Sequence, residues 1–158
     1  MPSDNELHPE RQTSPLVGLL PVWRRIQQAM AQRLSSHGVP LSSAVALLYL
    51  NAHEEEYEPA QLADKLLVPR QTTTFILDSL ESKRLARRRP HPVDRRRKVI
   101  QLTARGRQQA QLIRDDLLAY ETSAANMIFS PDEAACFRNT VTRLADAMEE
   151  LNRSIPTA

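Results

Sequence analysis

Glycine is scarce in this sequence, with three in 158 residues against eleven prolines. Nucleotide-binding α/β folds spend glycines on their phosphate turns, so the composition argues against that class. Cysteine is scarcer still: Cys136 stands alone, which excludes a disulfide framework and any cysteine-based zinc site built within one chain. Aromatic residues make up 4%, so the core must be aliphatic. The longest stretch without Lys, Arg, Asp or Glu, residues 34–53, is interrupted by serines, a proline, a glycine and an asparagine and cannot span a bilayer. The start, Met1-Pro2-Ser3-Asp4-Asn5-Glu6, lacks the basic region of a signal peptide. A soluble, cytoplasmic protein is expected. His8, His37, His53 and His91 form no ligand spacing, and there is no glycine-rich phosphate loop. The reading is therefore no metal site, no cofactor and no enzyme.

What remains is ordinary globular material, 41% hydrophobic and 25% charged, long enough to bury roughly 70% of its unfolded-state surface. The net charge of +2 names no partner, but it is a cancellation. Residues 65–107 carry thirteen Lys or Arg against three acids (Asp78, Glu81, Asp94), a net of +10. The rest carries eight arginines against sixteen acids, a net of −8. The basic part contains Arg87-Arg88-Arg89 and Arg95-Arg96-Arg97-Lys98, internal and bounded by apolar residues. That localisation favours an electrostatic footprint for a polyanion over a merely solvated run. A membrane surface would call for an amphipathic basic helix, whereas this segment reads as strand and turn.

Residues 1–14 read as a mobile arm, and Ser14-Pro15 as a helix start with Ser at the N-cap and Pro at the first position. Leu16, Leu19, Leu20, Trp23, Ile26, Met30 and Leu34 recur at helical spacing to about Ser36. Pro21 either kinks this helix or places its true start near Leu20. Gly38 ends it. A second, strongly apolar helix spans about 42–52 and is broken by Glu54-Glu55-Glu56. Glu58-Pro59 opens a short third helix with Leu62, Ala63 and Leu66 inward. A fourth runs from about Arg70 to Lys83, burying Thr73, Ile76, Leu77 and Leu80 and exposing Arg70, Gln71, Thr74 and Asp78. Thr72-Thr73-Thr74 is a poor helical stretch by propensity, so its hydroxyls are expected to be used.

Residues 85–90 and 98–102 read as two strands, with Val99 and Gln101 on one face and Ile100 and Leu102 on the other. Thr103 is a good N-cap for a helix whose stripe is Ala110, Ile113, Leu117, Tyr120, Ala124 and Met127. Ser130-Pro131-Asp132-Glu133 is a capping box opening a last helix with Phe137, Val141, Leu144, Met148 and Leu151 on a heptad-like seam.

The order helix, helix, turn, helix, two-stranded wing predicts a mainly α protein, a winged helix-turn-helix with a small antiparallel wing. The N-terminal face of its fourth helix is shaped to enter a major groove about 12 Å wide. The long apolar stripes at both chain ends exceed what a lobe of roughly 60 residues can cover, so dimerisation helices are expected there. The expected organisation is the arm 1–14 and a single domain 15–158, with the winged lobe at 41–103 and dimerisation helices at 15–37 and 104–153.

The run Asp94-Arg95-Arg96-Arg97-Lys98-Val99-Ile100-Gln101-Leu102-Thr103-Ala104-Arg105-Gly106 resembles the D-x-R…L-T-x-x-G pattern of the MarR family of bacterial transcriptional regulators. The stretch from Gln61-Leu62-Ala63 to Leu80-Glu81-Ser82-Lys83 is similar to that family's helix-turn-helix without a gap. The resemblance implies a homodimer on a pseudo-palindromic double-stranded DNA operator, with affinity often altered by a small molecule, metal or oxidant. A repressor is the expectation. It places Arg96 as the wing arginine entering the minor groove, with Asp94 orienting it. Gln71, Thr72, Thr74 and Phe75 fall where relatives contact bases and phosphates. Arg70, Arg88, Arg95, Arg97 and Lys98 complete the expected DNA-binding set. Trp23, Tyr49 and Tyr120 are the aromatics expected to line an effector cavity, with plain core packing as the default role. Redox-sensing relatives carry cysteine in the first helix, which has none here, so Cys136 reads as structural. The chain departs from the family at Leu67 and Arg84, which stand where relatives have Gly, and at Phe75, where a basic residue is common. The alternative function is a winged-helix protein-interaction module whose basic patch meets an acidic partner.

Overall fold

The computed structural model describes residues 18–53 and 57–154. The expected arm, the Ser14-Pro15 helix start, and the Glu54-Glu55-Glu56 break lie outside them. The elements in order are α1 (Leu19–Leu34), a 3₁₀ turn (Ser35–His37), α2 (Leu41–Ala52), α3 (Pro59–Leu66), α4 (Arg70–Ser82), β1 (Ala86–Pro90), β2 (Lys98–Leu102), α5 (Ala104–Asn126) and α6 (Pro131–Ser154). The described residues divide into two compact units within α5, one ending at Ile113 and the other beginning at Arg114. No described helix is long and apolar enough to cross a membrane.

In the first unit, α1 begins where Gly18 takes a φ of 86°, so the later of the two expected starts is the one found. Pro21 falls in the first turn, where its missing N–H removes no helical bond. Gly38, at φ 67°, turns the chain into α2. The core is aliphatic: Leu34, Leu47, Leu62, Leu77, Leu80, Val99 and Ile113 are sealed from solvent, and each Leu contributes about 1.5–3 kcal/mol by burial. α2 lies against α4 and β2, α3 against α4 and β2, and α4 against β1.

β1 and β2 are antiparallel in the register Ala86↔Leu102, Arg88↔Ile100, Pro90↔Lys98. The expected alternation along β2 is only half of what is found, because Val99 and Ile100 are both buried. The far edge of β2 is covered as well: the Ile100 N–H donates to the Tyr57 carbonyl at 2.8 Å, an isolated antiparallel bridge. A single bridging residue has no periodicity, and the sequence reading did not contain it.

Both helices of the helix-turn-helix end in a left-handed residue that is not glycine, Leu67 at φ 54° and Arg84 at φ 58°. After α3 the Val68 N–H reaches back to the Ala63 carbonyl at 3.1 Å; after α4 the Leu85 N–H reaches back to the Leu80 carbonyl at 2.9 Å. These are the six-to-one bonds of Schellman caps, which want glycine at the left-handed position. The chain keeps the cap geometry and bears the local strain, about 1–2 kcal/mol per residue.

Gly106 shows the opposite economy. A Cβ there would sit 1.8 Å from the Leu85 carbonyl oxygen, so the first turn of α5 can close on the α4–β1 turn only without a side chain. Thr103 fastens the same junction. Its hydroxyl donates to the Arg84 carbonyl at 2.8 Å and accepts from the Gly106 N–H at 2.9 Å, the predicted N-cap.

The second unit is the remainder of α5 and α6. The predicted capping box is present: the Ser130 N–H donates to Glu133 at 2.7 Å, and the Glu133 N–H donates to the Ser130 hydroxyl at 3.4 Å. The Ser130 backbone N–H foremost, and its hydroxyl second, hold the Glu133 carboxyl below its usual pKa. No residue of α6 is buried. In α5 the buried stripe runs through Ala110, Ile113 and Leu117, but Met127 is 84% exposed.

Candidate nucleic-acid interface

The face of α4 that leaves the core is set by helical period alone. Thr73, Ile76, Leu77 and Leu80 point inward, which turns Arg70, Gln71, Thr72, Thr74 and Phe75 to solvent. The hydroxyls of the threonine run are indeed used. Thr73 donates to the Pro69 carbonyl at 3.4 Å and Thr74 to the Arg70 carbonyl at 3.1 Å. Both are back-bonds to the preceding turn, which satisfy the hydroxyls within the helix.

The wing loop, 91–97, is a hydrogen-bonded turn rather than a slack tip. The His91 N–H donates to the Arg97 carbonyl, and the Arg97 N–H to the Asp94 carbonyl, both at 3.0 Å. His91 Nδ1 accepts from the N–H groups of Val93 and Asp94, each at 3.2 Å. Asp94 Oδ1 accepts the Arg96 N–H at 3.0 Å, an Asx turn that fixes the backbone from which the Arg96 side chain projects. Arg95, Arg96 and Lys98 are exposed and have no ion-pair partner among the described residues.

Two of the arginines expected on DNA are engaged within the lobe. Arg88 on β1 bonds to Asp78 at 2.8 Å and to Glu81, and its own N–H donates to Glu81 at 2.7 Å. Its guanidinium therefore ties the wing strand to α4. Arg97 pairs with Glu58, the N-cap of α3, whose N–H in turn donates to Gln61 Oε1 at 2.9 Å. Arg87 bonds to Gln101 across the two strands at 2.7 and 3.0 Å. These partners lie far apart in sequence, so residue counting alone could not separate bracing arginines from free ones. The only available signal was the pairing of acids within an otherwise basic segment: Asp78 and Glu81 are two of its three carboxylates.

The aromatic trio is distributed. Tyr49 packs at a tilt against His53, with ring centroids 4.4 Å apart, and against Tyr57 at 5.5 Å. Trp23 is half exposed and lines a surface pocket with Leu20, Pro21 and Arg24. Tyr120 is half-buried on the part of α5 that belongs to the second unit. A larger groove of about 690 Å³ lies elsewhere, between Arg24, Gln28, Val45, Leu66, Val68 and Ile76. Cys136 is exposed on α6. No cluster of three or more His, Cys, Asp or Glu able to hold a metal occurs among the described residues.

A MarR family model matches residues 37–97, the segment that contains α2, α3, α4, β1 and the wing loop. The HTH-type transcriptional regulator MhqR of Bacillus subtilis (strain 168) is 32% identical over 84 residues, 53% of this chain and 57% of MhqR. The aligned part thus spans little more than half of that relative. Among solved structures, MarR family transcription regulator SP03579 superposes with a TM-score of 0.77 at 24% identity, covering 89% of this chain and 91% of that one. The S. aureus MepR–DNA complex gives 0.75 at 21% identity, covering 87% and 99%. The transcriptional repressor CouR bound to a 23-mer DNA duplex gives 0.74 at 20% identity, covering 80% and 89%. At these identities the superpositions establish the winged-helix fold. Family model, sequence relative and fold agree in one likeness: residues 37–97 match the MarR family model, and the chain has the winged-helix fold of the MarR family structures it superposes on.

Proposed function

We propose that this protein is a cytoplasmic, sequence-specific double-stranded DNA-binding transcriptional regulator, a homodimer that represses from a pseudo-palindromic operator. The carrying observation is the pairing, on one lobe, of a polar helix face with a rigid wing loop presenting unpaired cations. In this reading α4 enters the major groove, and Arg96 enters the neighbouring minor groove, where narrow A·T-rich sequence concentrates negative potential. Arg70, Arg95 and Lys98 supply phosphate contacts that fix register. MepR and CouR, which share the fold, have been solved with DNA.

The dimer part of the proposal rests on apolar surface that one copy leaves uncovered. Leu20, Val22, Trp23 and Ile26 on α1, and Phe137, Met148 and Leu151 on α6, are 46–77% exposed. Residues 15–37 and 104–153 are accordingly assigned to dimerisation. A two-fold pair would present two recognition helices about one DNA turn, 34–36 Å, apart.

Selection from a random duplex pool against nonspecific competitor tests the proposal. Enrichment of an inverted repeat with half-sites about one turn apart is expected. Failure to enrich any sequence, together with retention of an acidic protein partner, would replace it with the protein-interaction reading.

A further inference from the structure

The outward stripe of α4 is poorer in hydrogen-bond donors than its residue names suggest. Thr74 has given its hydroxyl proton to the Arg70 carbonyl, so toward a base it keeps a methyl group and acceptor lone pairs. One residue on, Phe75 is 75% exposed. It stands four positions after Gln71 and three after Thr72, on the same helix face and within the first two turns. The core does not use it, since the buried residues of α4 are Thr73, Ile76, Leu77 and Leu80. A phenyl ring held in water among Arg70, Gln71, Thr72 and Thr74 is an apolar probe in the middle of a polar reading surface.

We propose that Phe75, assisted by the Thr74 methyl, reads thymine C5-methyl groups, so that each operator half-site carries thymine opposite these residues. The inference rests on the DNA-binding reading above and specifies what that face selects. In the major groove the thymine methyl is the one apolar base feature; guanine, adenine and cytosine offer donors and acceptors there. A phenyl laid on those groups would strip their water without replacing its hydrogen bonds. Selection by Phe75 is thus both attractive toward thymine and repulsive toward the other bases. Gln71, on the same stripe, remains the hydrogen-bonding reader, suited to adenine.

The test uses the full chain and the duplex recovered by selection, with each thymine replaced in turn by uracil, which deletes only the methyl. Anisotropy gives Kd for wild type, Phe75→Ala, Thr74→Ser and Thr74→Val. For wild type, uracil at one or two positions per half-site weakens binding about fourfold per lost methyl. Phe75→Ala binds thymine and uracil equally at its position. Thr74→Ser, which keeps the hydroxyl and drops the methyl, loses discrimination at the adjacent position, while Thr74→Val retains it. Because Phe75 and Thr74 are exposed, all variants are expected to melt with wild type. Equal wild-type binding to every uracil duplex, or discrimination surviving Phe75→Ala, overturns the methyl reading and leaves sequence-specific DNA binding standing. A wild type that prefers no duplex over random DNA overturns both.

Discussion

From α2 to β2, each helix sets its apolar stripe against another element of the same chain, and Leu47, Leu62, Leu77, Leu80 and Val99 are sealed from solvent. α6 carries a stripe of the same regularity and buries none of it. The two regions also differ in sign: residues 41–102 hold eleven Lys or Arg against eight acids, a net of +3, and α6 holds three arginines against five acids, a net of −2. A stripe satisfied within the chain completes a core, whereas one left open is what the proposed dimer would cover.

The largest effect should come from the junction that finishes the lobe. Gly106→Ala drives a methyl into the Leu85 carbonyl, and about 3 kcal/mol of stability should be lost, visible as a lowered urea midpoint. Next, Met148→Glu on α6 should split the dimer. Association weakens by about 2 kcal/mol or more, and sedimentation shows monomer, while melting is little changed because Met148 is half exposed and no residue of α6 is buried. If Met148→Glu unfolded the chain, the two regions would not be separable as argued.

A subtler break lies inside the lobe. Arg88→Ala removes the link between β1 and α4, and about 1–2 kcal/mol of stability should go with it, allowing for the partial exposure of Asp78 and Glu81. Operator affinity should fall roughly tenfold through misplacement of the wing, with an unchanged salt slope because no phosphate contact is lost. A reduced slope would return Arg88 to the DNA-contact set. Smaller still, Leu67→Gly should raise stability by up to about 1 kcal/mol in a thermal melt, strain relief exceeding the extra unfolded-state entropy of glycine. The smallest effect concerns Glu133. Its pKa is depressed in the folded state, so its contribution is present above the ordinary carboxylate value and is lost as pH falls through the folded one. Glu133→Gln should remove that slight acid sensitivity of α6.

Sequence periodicity was sufficient to place α3, α4, β2 and α6 to within a residue or two, because each carries a regular apolar pattern, and α3 and α6 also have a capping signal at the start: Glu58-Pro59, Ser130-Pro131. The family resemblance, with Gly at both places, marked Leu67 and Arg84, and both take a left-handed backbone. What it could not deliver were contacts decided in three dimensions. The Tyr57–Ile100 bridge covers the far edge of β2, and the pairings of Arg88 with Asp78 and Glu81, and of Arg97 with Glu58, withdraw two cations from an apparently uniform basic run. Within that run, sequence gives the charge, and geometry decides which charges are free.

Arg96 is the free cation on which the DNA-reading account turns, and Arg11 is a cation outside the basic segment. Anisotropy titrations of the selected operator with Arg96→Ala and Arg11→Ala, at 50 and 200 mM salt, set the two side by side. The account predicts that Arg96→Ala weakens binding at least tenfold and flattens the salt slope by about one unit or more, with Arg11→Ala indistinguishable from wild type. Equal affinities and slopes for the two variants would contradict it.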